Sequence, residues 1–258
     1  GRGAGDMKAG KVAALFAVFL LVVIMIVIKE LSAFARLARI DKIQHDAETA
    51  LSAEDLSAAR TVTKDLTALY RSRDDTKWGR DRLQDREADM FDASALLALA
   101  DRELLAPLDA AARREVEAAA RQVATVTALV PLALADVVAA LGANIRMIRR
   151  IAEIYGGRSG TLGSWRLTRA VMSHLVATGA VAVGDDMLEP ILGGGILAKL
   201  SRRFGEGLVN GALTARVGVA AMEVCRPLPY VTTKRPSVRS IIRSALAGLV
   251  PGSTQKDR

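Results

Sequence analysis

Seventeen consecutive residues from Val12 to Ile28, VAALFAVFLLVVIMIVI, carry no charged or polar side chain and are bracketed by Lys11 and by Lys29-Glu30. At about 1.5 Å per helical residue the run is roughly 26 Å long, close to the roughly 30 Å hydrocarbon core, and flanking lysines can snorkel to the headgroups. It reads as a membrane span. A buried core helix would need cover on every side, which the polar neighbouring sequence does not offer. A cleaved signal peptide is disfavoured, because the run exceeds the usual apolar length and leads into Lys29-Glu30-Leu31 rather than a small-residue cleavage site. The sequence starts at Gly1 without methionine, so a missing upstream segment is expected, and a second span in it would turn the anchor into a hairpin.

The remainder is helical in pattern. Hydrophobic residues make up 51 % of the chain and aromatic ones only 4 %, and no alternating β-branched run closes on an Asn-Gly or Asp-Gly turn. The expected fold is all-α, a transmembrane helix continuing into a multi-helix cytoplasmic bundle. Leu31, Phe34, Leu37, Ile40 and Ile43 carry the helix out of the membrane, and Arg36, Arg39 and Lys42 place this side in the cytoplasm by the positive-inside rule, a placement that Lys8 and Lys11 on the other flank weaken. Ser52 and Asp55 suggest a capping box for a second, antiparallel helix with Leu56, Ala59, Val62, Leu66 and Leu69 on one stripe. Arg71 to Asp92 interleaves acids with arginines and reads as a turn plus a short salt-bridged helix. Asp92 caps a helix to Leu105, and Pro107 opens the next, with Val116, Val123 and Val126 facing inward. From Pro131 to Gly156 the apolar positions are Leu134, Val137, Val138, Leu141, Ile145, Ile148, Ile151 and Ala152, with Gly156-Gly157 as the C-cap. A helix from Trp165 to Val183 carries Leu167, Val171, Leu175 and Thr178. The helix from Ile196 to Cys225 has Gly205, Gly207, Gly211 and Gly218 where neighbouring helices come close; a membrane-embedded segment is its alternative, and Pro227 and Pro229 end it. The tail from Lys234 sets Val238, Ile241, Ile242, Ala245 and Leu249 opposite Arg239 and Arg243, which suits either an anionic membrane or docking onto the core.

Charge is unevenly spread. The net charge is +8; residues 36–92 hold 11 basic and 13 acidic side chains, whereas residues 194–258 hold 11 basic and 3 acidic. An anionic partner, lipid or nucleic acid, suits such asymmetry. Scarce aromatics and the lack of a recognised motif argue against nucleic acid, and a tethered chain keeps its cations near the bilayer.

The search for chemistry yields no catalytic, cofactor-binding or metal-binding residue. His45 and His174 are the only histidines and lack ligand-type neighbours. Gly179 and Gly184 have phosphate-loop spacing, but Asp185-Asp186 stands where Lys-Ser/Thr is needed. Asp185, Asp186 and Glu189 read as capping groups, GTLGSWR lacks the glycine of a nucleophile elbow, and Gly193-Gly194-Gly195 is a turn with no dinucleotide fingerprint. The single cysteine, Cys225, excludes an internal disulfide, fits a reducing compartment and reads as a small buried hydrophobe.

The segments RLARID, LADRELLAPLDAAARREV, RRIAEIYGGRSGTLG, HLVATGAVAVGD and LSRRFGEGLVNGALTARVGVAAMEVCRPLP, in this order, resemble the YcjF-like inner-membrane proteins of bacteria. The resemblance implies two adjacent spans, of which one is present here, a helical cytoplasmic domain, and association with a YcjX-like GTPase and with lipid. It carries over no catalytic residue. The expected organisation is a basic flank at 1–11, the span at 12–28, a membrane-proximal helical hairpin at 29–92, a YcjF-like helical domain at 93–232 and a basic amphipathic tail at 233–258. The expected function is that of a non-catalytic scaffold in the bacterial inner membrane, binding anionic phospholipid or protein; the alternative is a regulatory partner of a YcjX-like GTPase without lipid specificity. Arg146, Arg149, Arg150, Arg202, Arg203, Lys234, Arg235, Arg239 and Arg243 are the candidate lipid- or partner-binding residues, and self-association is left open.

Overall fold

The computed structural model describes residues 20–25, 27, 28, 38–129, 133–156, 167–173 and 196–247, with the side chains of 133–137, 196–204 and 246 not included. The expectations for His174, Leu175, Thr178, Gly179, Gly184, Asp185, Asp186, Glu189, Gly193-Gly194-Gly195 and Leu249 lie outside these residues. Within the apolar run, residues 20–25, 27 and 28 are helical with side chains 39–61 % exposed. Nothing in the bundle covers them, which removes the core-helix alternative for these positions.

Helix α1 spans 38–52 and buries Ile40, Ile43, Ala47 and Ala50, a stripe at helical spacing. A two-residue turn with Glu54 at φ 52° reverses the chain. Helix α2 (Leu56–Leu69) returns beside α1, since Lys42 Nζ lies 3.8 Å from Asp65 Oδ2 across the pair. The expected capping box does not form. Asp55 is itself the N-cap, accepting from the Ser57 and Ala58 N–H groups, while Ser52 Oγ donates to the Thr49 carbonyl, because α1 runs on through Ser52.

A short 3₁₀ turn (Asp74–Thr76) leads into α3 (Lys77–Glu87), whose mixed charges pair as Lys77 with Asp81 at 3.1 Å and Arg82 with Glu103 at 3.4 Å. Asp92 caps α4 (Ala93–Ala100) through the Ala95 N–H at 2.7 Å. The expected break at Leu105 is absent. A π-helical turn (Asp101–Leu105) joins α4 directly to α5 (Ala106–Leu129). Pro107 has no N–H to donate and its ring crowds the preceding turn; the wider π turn accommodates both without ending the rod.

Helix α6 (Ala133–Ile154) packs back on α5. Its base follows expectation, with Ile148, Ile151 and Ala152 buried, but Val138 is 71 % and Leu141 57 % exposed. The apolar stripe therefore outruns the core that the structure provides for it. At the C-terminus Gly156 adopts φ +94°, the left-handed cap that a β-carbon disfavours. Tyr70 Oη donates to the Tyr155 carbonyl at 3.2 Å and Arg73 Nη1 to the Ile154 carbonyl, tying the α1–α2 hairpin to the end of α6. Helix α7 (167–173) buries Leu167 and Val171.

Helix α8 (Ile196–Cys225) runs antiparallel to α5 and forms the most extensive packing in the bundle. The glycines explain the close approach. A Cβ on Gly207 would stand 2.6 Å from the Ala124 carbonyl oxygen, and one on Gly218 would stand 2.4 Å from Val116 Cγ1, whereas Gly205 faces open space. Gly205–Cys225 is the one helical stretch among the described residues long and apolar enough to cross a bilayer, yet 56 % of it is buried, and α5, α6 and the last helix, α9 (Val238–Ala247), pack on α8. That burial marks the core helix of the bundle. One continuous core runs from Ile43 to Ala245.

Candidate membrane interface

The basic C-terminal segment is positioned by a buried ion cluster. Where α8 ends, Arg226 turns inward and is 1 % exposed. Its Nε donates to Asp109 Oδ1 at 3.0 Å, Nη1 to the Leu228 and Pro229 carbonyls at 2.6 and 2.9 Å, and Nη2 to Asp101 and Asp109. All five guanidinium donors are thus used. Asp101, fully buried, also accepts the Thr232 and Thr233 backbone N–H groups at 2.9 Å, and Tyr155 Oη donates to Asp109 at 2.6 Å. The Tyr230 ring lies 4.1 Å from the guanidinium. Two carboxylates face one cation, and the excess negative charge is spread over these hydroxyl and amide donors.

Burial alone would pull the Arg226 guanidinium down, but its hydrogen bond to Asp109 and the charges of Asp109 and Asp101 outweigh this and hold it above its usual value. Burial acts to raise Asp101, and the Thr233 N–H, the Arg226 charge and the Thr232 N–H together keep it below the usual carboxylate range. Burial, then the neighbouring Asp109, pushes the Tyr155 phenol up. The cluster is closed to solvent and saturated with internal partners, so it acts as a pin: it holds residues 226–233 over the α4–α5 junction and aims the helix beyond them.

That helix is α9, with Ile241 and Ala245 buried against the bundle and Arg239 and Arg243 exposed. Ala120, Ala124 and Gly211 form its small-residue seat. Arg121 Nε donates to the Ala245 carbonyl at 3.0 Å and Arg113 Nη2 reaches Ser244 Oγ at 3.5 Å. Of the two settings the tail's pattern allows, the structure has docking onto the core, and the apolar face of α9 is unavailable to lipid. Its outer face is cationic. Residues 224–256 contain no acidic side chain, and Lys234, Arg235, Arg239 and Arg243 are all exposed. Arg235 lies 3.6 Å from Glu223, so its charge is partly offset.

The other candidates separate. Arg146 is exposed on α6 and lines a groove of about 320 Å³ between α5 and α6. Arg149 is half-buried, and Arg150 is exposed with Glu153 at 3.4 Å. Arg202 and Arg203 belong to the N-terminal third of α8, where side chains lie outside the described ones. Arg113 and Arg121 escaped the sequence reading, although their eight-residue spacing on one helix puts both on one face. The ion cluster escaped it as well. Its only signal is a lone arginine in the apolar stretch VCRPLP, answered by Asp101 and Asp109 eight residues apart.

A family model described as "Domain of unknown function (DUF697)" matches residues 91–251, from just before α4 to just beyond α9. The UPF0283 membrane protein of Mesorhizobium japonicum is 42 % identical over 245 residues, covering 95 % of this chain and 67 % of that protein. The chain belongs to the DUF697 family. UPF0283 membrane proteins of Rhizobium etli and Sinorhizobium medicae are 44 % and 45 % identical, the chain spanning 64 % and 63 % of their lengths. No solved structure matches this chain. This DUF697 member is thus an all-α protein of a membrane-protein family, and the Arg226 cluster, α9 and the α5–α6 groove all fall inside the family region.

Proposed function

We propose that this UPF0283 member is a non-catalytic scaffold of the bacterial inner membrane, held by the Val12–Ile28 span, with its cytoplasmic bundle laid against anionic lipid through the outer face of α9. The observation that carries the reading is that face: Arg239 and Arg243 point outward because Ile241 and Ala245 are sunk in the core, and no acid follows Glu223 until Asp257. With the apolar side already used, attraction is Coulombic. Each cation near an anionic leaflet contributes on the order of 1 kcal/mol, and the span keeps the cations within reach, so even a weak contact is populated. Arg146 and Arg149 extend the same attraction from α6.

The test is tryptic cleavage at Arg239 and Arg243 of the chain in nanodiscs of phosphatidylcholine alone or mixed with phosphatidylglycerol. Protection is expected only with the anionic lipid and is lost at high salt, because the Debye length shrinks to about 3 Å at 1 M. Equal cleavage in both nanodiscs rejects the lipid role.

A second reading, a regulatory membrane partner of a YcjX-like GTPase, is favoured by the edge around α3. Trp78 is 73 % and Phe91 85 % exposed, with Arg82 stacked 4.6 Å from the indole. Aromatics and arginine are the side chains most enriched at protein contacts. Under this reading Trp78→Ala with Phe91→Ala abolishes co-purification of the GTPase while leaving α9 protection intact.

A further inference from the structure

The α5–α6 hairpin is unusual in what it leaves uncovered. From Gln122 to Ile145, 24 residues, there is one charged side chain, Asp136. Leu129 near the end of α5 is 75 % exposed, and Val138 and Leu141 on α6 are 71 % and 57 % exposed, while the base of α6 buries Met147, Ile148 and Ile151. Isolated exposed apolar side chains are ordinary, but three large ones around one helical hairpin, with charge almost absent from both arms, form a patch. Arginines bracket it. Arg121 and Arg146 flank the uncharged arms at matching heights in the antiparallel pair, and Arg149 and Arg150 follow one turn on. Between the arms runs the 320 Å³ groove, walled by Val123, Val126, Val138, Ala139 and Gly142 with Arg146 at its rim.

We propose that the end of this hairpin dips into the headgroup–acyl boundary of the same bilayer, an acyl chain occupying the groove and the arginines meeting lipid phosphate. The eight residues 122–129 of the α5 arm span about 12 Å, which matches the roughly 5–10 Å depth of interfacial helices and falls short of a crossing. Asp136 and the Arg202–Arg203 turn of α8, which the antiparallel register sets beside the hairpin end, keep the dip shallow. The position agrees with the cationic face already described, because α9 is seated on Ala120 and Ala124 at the base of this hairpin. The inference rests on the reading that the bundle lies against the membrane, and adds to it an apolar contact that salt does not screen.

The experiment uses the full chain in nanodiscs containing phosphatidylglycerol, with Val138→Cys, Leu141→Cys or, as a control at the far end of α6, Glu153→Cys labelled with an environment-sensitive fluorophore. The native Cys225 is buried and stays in place. Expected is a blue shift at 138 and 141, with quenching by lipid bearing a nitroxide near the top of its acyl chain, persisting at high salt, and water-like emission at 153. Water-like emission at 138 and 141 overturns the proposal. So does a blue shift without quenching by the lipid-borne nitroxide, which signals a protein contact instead. If the two probes stay wet while α9 is still protected from trypsin, the hairpin inference alone falls; if α9 is unprotected as well, the membrane-facing reading falls with it.

Discussion

Replacing Arg226 with methionine tests the pin that aims α9. The substitution keeps a long side chain but removes every donor to Asp101 and Asp109, leaving Asp101, 0 % exposed, with only the Thr232 and Thr233 groups to hold its charge. Breaking one side of a buried ion pair costs roughly 3–5 kcal/mol, a large part of the roughly 5–15 kcal/mol that stabilises a whole domain. At about 2–4 °C per kcal/mol for a domain of this size, the thermal midpoint should fall by roughly 6–20 °C. Near-ultraviolet circular dichroism of the chain in mild detergent reads this directly. The companion variant R226M with D101L should lose less than R226M alone, because removing both partners leaves only Asp109, already 16 % exposed at its side chain, to be hydrated. A drop of less than about 2–4 °C for R226M, or an additive double variant, would refute the assignment of the cluster as the pin.

Helix contact between α5 and α8 makes a second prediction. Gly207→Ala drives a Cβ to 2.6 Å from the Ala124 carbonyl and should cost about 1–3 kcal/mol, while Gly205→Ala, with nothing within 4 Å, should be neutral or stabilising by about 0.5–1 kcal/mol; denaturant midpoints separate the two. The pH dependence comes from Asp101. Its pKa is lower folded than unfolded, so its contribution is complete above the unfolded value of about 3.9 and is lost as pH falls through the folded value. Asp101→Asn should therefore be less stable at neutral pH and show a shallower loss between about pH 5 and pH 2; a parallel acid profile for variant and wild type would contradict this.

Helix positions were legible wherever apolar residues recur at helical spacing and a cap follows. Ile40, Ile43, Leu66, Val116 and Ile151 are buried as their spacing requires, Asp92 caps α4, and Gly156 takes the left-handed cap. Local pattern misled where one neighbour changes the hydrogen-bond register. Pro107 looked like a helix start because a π turn leaves no mark on apolar periodicity, and Ser52 looked like a cap because its own helix had not yet ended. The setting of the tail could not be read from α9 itself, since an amphipathic helix looks the same over lipid and over protein; the seat made by Ala120, Ala124 and Gly211 decides it, and those residues are distant in sequence. For the same reason the Arg226–Asp101 pair, 125 residues apart, was invisible. Val138 and Leu141 were assigned to the core by periodicity, which reports that a face is apolar and not what covers it.

The central claim is that the bundle engages anionic lipid by charge, independently of its span. The most direct measurement is flotation of residues 38–258, without the apolar run, on vesicles of neutral or anionic lipid over a range of salt. Recovery is expected only with anionic vesicles, falling steeply as salt rises and lost when Arg239 and Arg243 are reversed to glutamate. Equal recovery with neutral and anionic vesicles, or binding indifferent to that reversal, would contradict the claim.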